Sequence, residues 1–124
     1  YGSGEAHKGE YASVVYQWCK MMKKGESPTI FGDGTQTRDF IYEDDIADNI
    51  ADLASRGVNG IVDIGTGKNT SFNELVFLIN EELGTKIEPI YVPQPKNYVP
   101  ETKVVKVPTK ISLQEGINKI IKTL

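Results

Sequence analysis

The sequence is poor in the residues that mark several common protein classes. Its one cysteine, Cys19, cannot form an internal disulfide, and neither Cys19 nor the one histidine, His7, has the companions that a zinc site needs. It shows no signal peptide and no apolar run long enough to cross a membrane. With 14 basic and 17 acidic side chains, the formal charge of −3 disfavours a nucleic-acid or membrane surface. We therefore expect one cytoplasmic domain that binds neither nucleic acid nor membrane.

A glycine-rich dinucleotide loop is also missing. The pattern G-x-x-G-x-x-G, whose amides hold a pyrophosphate, occurs nowhere in the 124 residues. The segment 65–68, Gly-Thr-Gly-Lys, looks like the end of a phosphate loop, but Asn69 replaces the required Ser or Thr. We interpret this segment as a strand-to-helix turn.

Hydrophobic periodicity predicts alternating helices and strands, which is typical of an α/β fold. His7 is expected in a solvated N-terminal loop. The predicted helices are Tyr11–Met22 with a stop at Gly25, Asp44–Ala54 with a stop at Gly57, Ser71–Leu83 with a capping box and a stop at Gly84, and Ser112–Leu124 with a capping box. The predicted strands are Thr29–Phe31, Thr37–Tyr42, Ile61–Ile64, Ile87–Val92 and Lys103–Val107.

The stretch 28–42 predicts a small-molecule anion site. Residues 32–34, Gly-Asp-Gly, tolerate turn conformations. In the strand that follows, the period of two places Arg38, Phe40 and Tyr42 on one face. An arginine beside aromatic rings binds phosphate or carboxylate through two hydrogen bonds and stacks on planar rings, so an anionic ligand with a ring fits both tendencies. The alternative is an ion pair between Arg38 and a nearby carboxylate, that of Asp39, Glu43 or Asp44.

Two other patterns have structural interpretations. Tyr16 and Lys20 fit Tyr-x-x-x-Lys, a spacing of one helical turn, but an amphipathic helix produces this spacing often. A cluster of carboxylates resembles a site for Mg²⁺ or Ca²⁺, yet helix caps and helix dipoles explain most of its members, Asp33, Asp39, Glu43, Asp44, Asp45 and Asp48. We predict no catalytic residue and no metal site in this chain.

Ordered blocks along the chain resemble the C-terminal part of the NAD-dependent nucleotide-sugar epimerases and dehydratases, which are extended short-chain dehydrogenases. UDP-glucose and UDP-N-acetylglucosamine 4-epimerases are the most similar members. The blocks are Tyr1-Gly2, Lys24–Pro28, Phe31–Tyr42, Asp44–Ala47, Asp63–Gly67, Ser71–Leu75 and Ile111–Gly116. The resemblance implies that residues 1–124 form a small mixed α/β substrate-binding domain, without the N-terminal Rossmann half that binds NAD.

The resemblance also implies roles for four residues. The segment matching Thr29 to Phe31 lies along the nucleotide base, Arg38 contacts the diphosphate of a UDP-sugar, and Phe40 lies beside the nucleotide. The intact enzyme would be a homodimer that oxidises the sugar C4 hydroxyl to a ketone and returns the hydride to the other face. Its catalytic Tyr-x-x-x-Lys pair and its NAD loop precede the matched region. This chain alone is therefore expected to be inactive and to hold no cofactor.

The chain departs from the family after residues 97–99. Relatives commonly carry an arginine, an Ala-Asp pair and a short helix there, whereas this chain runs directly from Glu101 to Pro108. Lys103 or Lys106 replaces the charge of that arginine but not its bidentate geometry. Two alternatives stay open: a 4,6-dehydratase or decarboxylase of the same family, and a truncated non-catalytic module that no longer binds ligand.

Overall fold

The computed structural model describes residues 1–102 and 106–124 as a mixture of helices and short strands. The α-helices in these ranges are α1 (Val14–Lys23), α2 (Glu43–Ser55), α3 (Phe72–Leu83) and α4 (Leu113–Thr123). The strands are β1 (Thr29–Phe31), β2 (Thr37–Asp39), β3 (Asn69–Ser71) and β4 (Ile90–Val92). The predicted small mixed α/β fold is confirmed.

The hydrophobic core lies between α1, α3 and α4. Each helix contributes one face, on which buried side chains repeat at spacings of three and four residues. These side chains are Val15, Trp18, Cys19 and Met22 on α1, Leu75, Val76 and Ile79 on α3, and Ile117 and Ile120 on α4. Burial raises the pKa of the Cys19 thiol to about 12, so this residue is a packing group and not a nucleophile. Within the described residues, no helix combines the length and the apolarity needed to cross a membrane.

Side-chain caps fix the starts of α3 and α4. Ser71 Oγ accepts a hydrogen bond from the amide of Glu74 at 3.1 Å, before α3. At α4, Ser112 Oγ accepts from the Glu115 amide at 3.2 Å, and the Glu115 carboxylate accepts from the Ser112 amide at 2.8 Å. Gly84 ends α3 in the left-handed conformation, with φ +65°. The predicted starts, the capping box at Ser112 and the stop at Gly84 are confirmed, whereas the capping box predicted at Ser71 is only half formed, because the Glu74 side chain does not bond back to the Ser71 amide.

The strands are shorter than predicted and form two separate pairs. β1 and β4 are parallel, with Ile30 opposite Tyr91, and β2 and β3 are antiparallel, with Arg38 opposite Thr70. The strand predicted for 37–42 ends at Asp39, because only that part has a neighbour in β3. The strand predicted for 87–92 begins only at residue 90.

The predicted strand at 61–64 is wrong. Ile61 is 99% exposed, and residues 61–64 pair with no strand in the described ranges. Only the next residue, Gly65, forms a bridge, with Lys106. An extended apolar run becomes a strand only where another edge completes its hydrogen bonds. The strand predicted for 103–107 falls mostly on Lys103 to Val105, which lie outside the described residues.

Helix α2 is held mainly by polar contacts. It begins at Glu43, one residue before the predicted start, and its one buried side chain is Asp45. The Asp45 carboxylate accepts from the amides of Lys110 at 2.8 Å and Ile111 at 3.0 Å. Ile50 is 54% exposed. Helix α2 and the segment after it therefore present apolar side chains to solvent.

The N-terminal region is a 3-10 segment (Ser3–Tyr11), not the loop that we predicted. Tyr11 lies outside α1 and is exposed, because Ser13 caps that helix by accepting from the Tyr16 amide at 3.3 Å. His7 is exposed, as predicted. Glu5, only 3% exposed, links the segment to α1.

We expect Ile79→Ala to lower the free energy of unfolding by about 2–5 kcal/mol, because Ile79 is fully buried and the change leaves a cavity. The matched control is Ile61→Ala, which makes the same change at an exposed site and should cost less than about 0.5 kcal/mol. Urea denaturation followed by the fluorescence of Trp18 measures both. Equal losses would contradict the assignment of the core.

The stability contributed by Glu5 should depend on pH. Burial opposes ionisation of its carboxylate, but bonds from Ser13 N (2.6 Å), Ser13 Oγ (2.8 Å) and Gly2 N (2.8 Å) outweigh burial and lower its pKa. A lowered pKa in the folded state stabilises the fold above the unfolded pKa of about 4.3, and this contribution is lost as the pH falls through the folded pKa.

We therefore expect Glu5→Gln to cost about 2 kcal/mol at pH 7, with a smaller difference from the parent chain near pH 3. Urea denaturation at several pH values measures this difference. Glu10→Gln, at an exposed position of the same 3-10 segment, is the control. A penalty that stays constant from pH 7 to pH 3 would contradict the role given to the ionised carboxylate.

Candidate ligand-binding site

A tight turn connects β1 to β2 and borders the site. Gly32 and Gly34 have φ angles of +78° and +80°, in the left-handed region that favours glycine. The Asp33 carboxylate accepts from Thr35 Oγ1 at 2.6 Å and from Thr35 N at 3.0 Å, and these bonds lower the pKa of Asp33. The amide of Asn73 donates to the Gly34 carbonyl at 3.1 Å, which ties the turn to α3. The turn that the Gly-Asp-Gly sequence predicts is confirmed.

One edge of β1 has no strand partner in the described part of the chain. The parallel ladder directs the main-chain groups of Ile30 toward β4, so those of Thr29 and Phe31 point to the opposite edge. There, Gln36 Nε2 donates to the Phe31 carbonyl at 2.6 Å. The amide of Phe31 and both main-chain groups of Thr29 remain available along this edge.

A largely apolar cavity of about 430 Å³ adjoins β1. This volume is in the usual range for small-molecule sites, roughly 300–1,000 Å³. Thr29 and Phe31, two of the predicted ligand-binding residues, line it. Its other walls include Trp18 and Met21 from α1, Phe72 from α3, and Tyr98.

Arg38 does not line this cavity, but it lies at its border because its guanidinium contacts two of the lining rings. Its guanidinium carbon is 5.8 Å from the ring centroid of Phe72 and 5.4 Å from that of Tyr98. Nη1 donates to the Thr37 carbonyl and Nη2 to the Val99 carbonyl, each at 2.7 Å. Within the described residues, two of the five guanidinium N–H groups are thus engaged, which leaves three for a ligand.

Arg38 forms no ion pair with a carboxylate among the described residues, so that alternative is wrong. Asp39 instead accepts bonds from a loop that precedes β3. Glu43 accepts from an amide near the N-terminus at 3.0 Å. Asp44 lies 3.5 Å from Lys119 Nζ. The three nearby carboxylates therefore have partners far along the chain, and the charge of Arg38 stays uncompensated.

Phe40 does not line the cavity but packs against Phe72, one of its walls. Its ring centroid is 6.3 Å from that of Phe72 and 6.5 Å from that of Tyr1. We predicted that Arg38 and Phe40 share one face of a strand. The strand β2 ends between these two residues, but both side chains still contact Phe72. Thr29 and Phe31 thus line the cavity, Arg38 borders it, and Phe40 supports one of its walls.

Asp39 connects the strand of Arg38 to the Gly-Thr-Gly segment. Its Oδ1 accepts from the amide of Thr66 at 3.1 Å and from Thr66 Oγ1 at 2.5 Å, and its Oδ2 accepts from the amide of Gly67 at 2.8 Å. The Asp39 carboxylate thus binds the main-chain amides that a phosphate loop would use to bind its ligand. The segment is therefore structural, but it is not the strand-to-helix turn that we predicted, because no strand directly precedes it in the described ranges and it leads into β3.

The Tyr-x-x-x-Lys pattern on α1 is part of the packing, as we interpreted it. Tyr16 is buried in the core, whereas Lys20, one helical turn later, is exposed. No cluster of three or more His, Cys, Asp or Glu side chains arranged to hold a metal ion occurs within residues 1–102 and 106–124.

A protein-family model matches residues 1–65, a span that includes β1, the turn and Arg38. That model describes the NAD dependent epimerase/dehydratase family. The chain belongs to this family.

Known proteins of the epimerase group match nearly the whole chain. A protein of Methanocaldococcus jannaschii that carries a provisional UDP-glucose 4-epimerase name is 42% identical over 98% of this chain and 41% of its own length. The structure of UDP-N-acetylglucosamine 4-epimerase from Methanobrevibacter ruminantium, solved with UDP-N-acetylmuramic acid, has a TM-score of 0.89 and 26% identity, over 99% of this chain and 42% of that one.

A third relative carries the cofactor. The structure of Thermus thermophilus UDP-glucose 4-epimerase in complex with NAD has a TM-score of 0.86 and 25% identity, over 99% of this chain and 43% of that one. The present chain thus spans about two fifths of the length of the epimerases that it matches. Activity of a whole epimerase does not transfer to it directly.

Several residues of the site were not predicted from the sequence, among them Trp18, Phe72 and Tyr98. Tyr98 had the weakest sequence signal. It follows Asn97, which has a φ of +65° in an irregular segment without periodicity. Its ring meets Phe31 at a centroid distance of 6.3 Å and also contacts Arg38, two residues far from it in sequence. The aromatic side chain between two prolines was the one available signal.

We expect Asp39→Asn to lower the free energy of unfolding by about 1–3 kcal/mol, because its new amide group would meet the Gly67 amide donor to donor. Asp52→Asn, which weakens an exposed ion pair with Arg56, is the control and should cost less than about 1 kcal/mol. Urea denaturation measures both. A penalty for Asp39→Asn no larger than that of the control would contradict the link between β2 and the loop.

Proposed function

We propose that this chain is the UDP-hexose-binding portion of an NAD-dependent nucleotide-sugar 4-epimerase. The observation that carries the proposal is the position of Arg38, uncompensated by a carboxylate, at the border of an aromatic-walled cavity. A nucleoside diphosphate matches both features: its planar base suits the aromatic-walled cavity, and its negatively charged diphosphate suits Arg38. The relatives that bind UDP-sugars support this choice of ligand.

The base would lie along the free edge of β1. Main-chain groups of Thr29 and Phe31 offer donors and an acceptor to the polar rim of a base, and the rings of Trp18 and Phe72 supply apolar walls. In a mostly apolar cavity, a few polar groups along one side fix the orientation of a planar ligand. This supports a base, rather than the hexose, as the occupant of the cavity.

The diphosphate would contact Arg38. Three free N–H groups on a planar guanidinium suit a bidentate contact with phosphate oxygens. Phe40, the fourth predicted residue, would contact the nucleotide only where the ligand extends past Phe72. Binding energy from base and diphosphate would orient the hexose, which is how remote contacts accelerate a reaction.

The described residues do not fit the phosphates of NAD. The Gly-Thr-Gly segment gives two of its amides to the Asp39 carboxylate, and an incoming phosphate would meet that negative charge. Lys106 packs against Gly67 beside this segment and is not a wall of the cavity. Lys103, its suggested counterpart, lies outside the described residues. We therefore assign NAD binding and the redox chemistry to the remaining part of the intact enzyme, and we expect no turnover by this chain alone.

The exposed apolar side of the chain suits an interface with that remaining part. Ile50 on α2 and Val58, Ile61 and Val62 after it are 42–99% exposed. We propose that residues 1–124 act as a substrate-binding domain whose apolar side packs on the NAD-binding half. A homodimer of the intact enzyme is part of the same proposal, by analogy with the family.

We expect the chain to bind UDP, and Arg38→Ala to weaken binding by about 10- to 150-fold, because charged hydrogen bonds contribute about 1.5–3 kcal/mol. Arg38→Lys should recover only part of the loss, because lysine lacks the planar fork. Isothermal titration with UDP and UDP-glucose at millimolar concentration measures these affinities.

The control is Arg56→Ala, which removes an arginine that pairs with Asp52 at 2.8 Å on α2. Affinity for UDP unchanged in Arg38→Ala would remove Arg38 from the site. A folded parent chain that gives no heat with UDP or UDP-glucose would refute ligand binding and favour the truncated, non-binding module.

A further inference from the structure

We propose that Tyr98 is the wall of the base site that stacks on the base of the ligand, opposite Phe31. This inference rests on the proposed function and adds a residue that the family resemblance does not assign. Its basis is the position of one ring that contacts both ends of the site: the base end at Phe31 and the charged end at Arg38.

The distance between the two rings fits this role. The centroids of Tyr98 and Phe31 are 6.3 Å apart, and the ring planes are inclined by 54°. A base held between two parallel rings needs a separation of roughly 7 Å, twice the optimal carbon–carbon contact distance. Rotation of the Tyr98 ring together with a displacement of less than about 1 Å would therefore admit a base.

The backbone directly after Tyr98 keeps the ring near its working position. The carbonyl of Val99 accepts from Arg38 Nη2 at 2.7 Å, and the carbonyl of Pro100 accepts from the Thr37 amide at 2.9 Å. These bonds anchor the segment to β2 directly after Tyr98. Less ordering is then required when a ligand arrives, which lowers the entropic cost of binding.

Tyr98 also affects the charged end of the site. The guanidinium carbon of Arg38 lies 5.4 Å from the centroid of the Tyr98 ring and 5.8 Å from that of Phe72. A ring that stacks on a base and on a guanidinium links recognition of the nucleoside to recognition of the diphosphate. Tyr98 would thus favour ligands that carry both groups.

The single tryptophan of the chain offers a direct readout, because Trp18 lines the same cavity. We suggest fluorescence titrations with UDP, uridine and inorganic pyrophosphate for the parent chain, Tyr98→Phe and Tyr98→Leu. The matched control is Tyr91→Leu. Tyr91 is an exposed tyrosine whose hydroxyl donates to Asn73 Oδ1 at 2.8 Å, and it is not a wall of this cavity.

Base stacking on an aromatic side chain predicts that Tyr98→Leu weakens UDP and uridine by about 5- to 150-fold. Tyr98→Phe should stay within about threefold of the parent chain, because the ring is retained, and so should Tyr91→Leu. Pyrophosphate should lose less affinity than uridine in Tyr98→Leu. Melting temperatures establish that all variants are folded.

Unchanged affinity of Tyr98→Leu for UDP would overturn this inference while leaving the proposed function standing. Equal losses for uridine and pyrophosphate would also overturn it, because Tyr98 would then act only through Arg38. If the folded parent chain binds neither UDP nor uridine, the proposed function fails, and the role of Tyr98 fails with it.

Discussion

The packing of Phe72 connects the core to the site. Its ring is 5.4 Å from that of Trp18 in the core and 5.8 Å from the guanidinium of Arg38, and its amide donates to the Gln36 carbonyl at 3.2 Å. As the first residue of α3, it cannot move without moving a helix whose inner face is fully buried. The cavity, the turn and Arg38 therefore derive their relative positions from the packing of the three core helices.

The distribution of negative charge is the second constraint. The chain carries a net charge of −3, and carboxylates follow Arg38 closely in sequence, yet each is held by a partner from another segment. Asp39 binds loop amides, Glu43 binds the N-terminal region, and Asp44 faces Lys119. An acidic protein can in this way keep one cation free for an anionic ligand. Because the guanidinium stays at the border of the cavity, it avoids the cost of burial without a partner.

Local sequence patterns predicted the features that depend on local interactions. The helix start at Ser112, the stop at Gly84 and the Gly-Asp-Gly turn each arise from residues a few positions apart. The failures depend on distant neighbours. The run at 61–64 has strand character but no pairing edge. The carboxylates near Arg38 bind partners that lie up to 75 residues away in the chain. Tyr98 reaches the site from an irregular segment. No periodicity encodes such contacts.

The free edge of β1 also bears on self-association. Unpaired strand edges can accept a strand from another chain, and the same two-stranded sheet carries the exposed side chains of Ile90 and Tyr91 on β4. Gln36 covers one carbonyl, and the strand is only three residues long, so the edge is partly protected. A base lying along Thr29 to Phe31 would cover the rest. The ligand-free chain would then be the form most prone to aggregate, and nucleotide would protect it by occupying the place of an intruding strand.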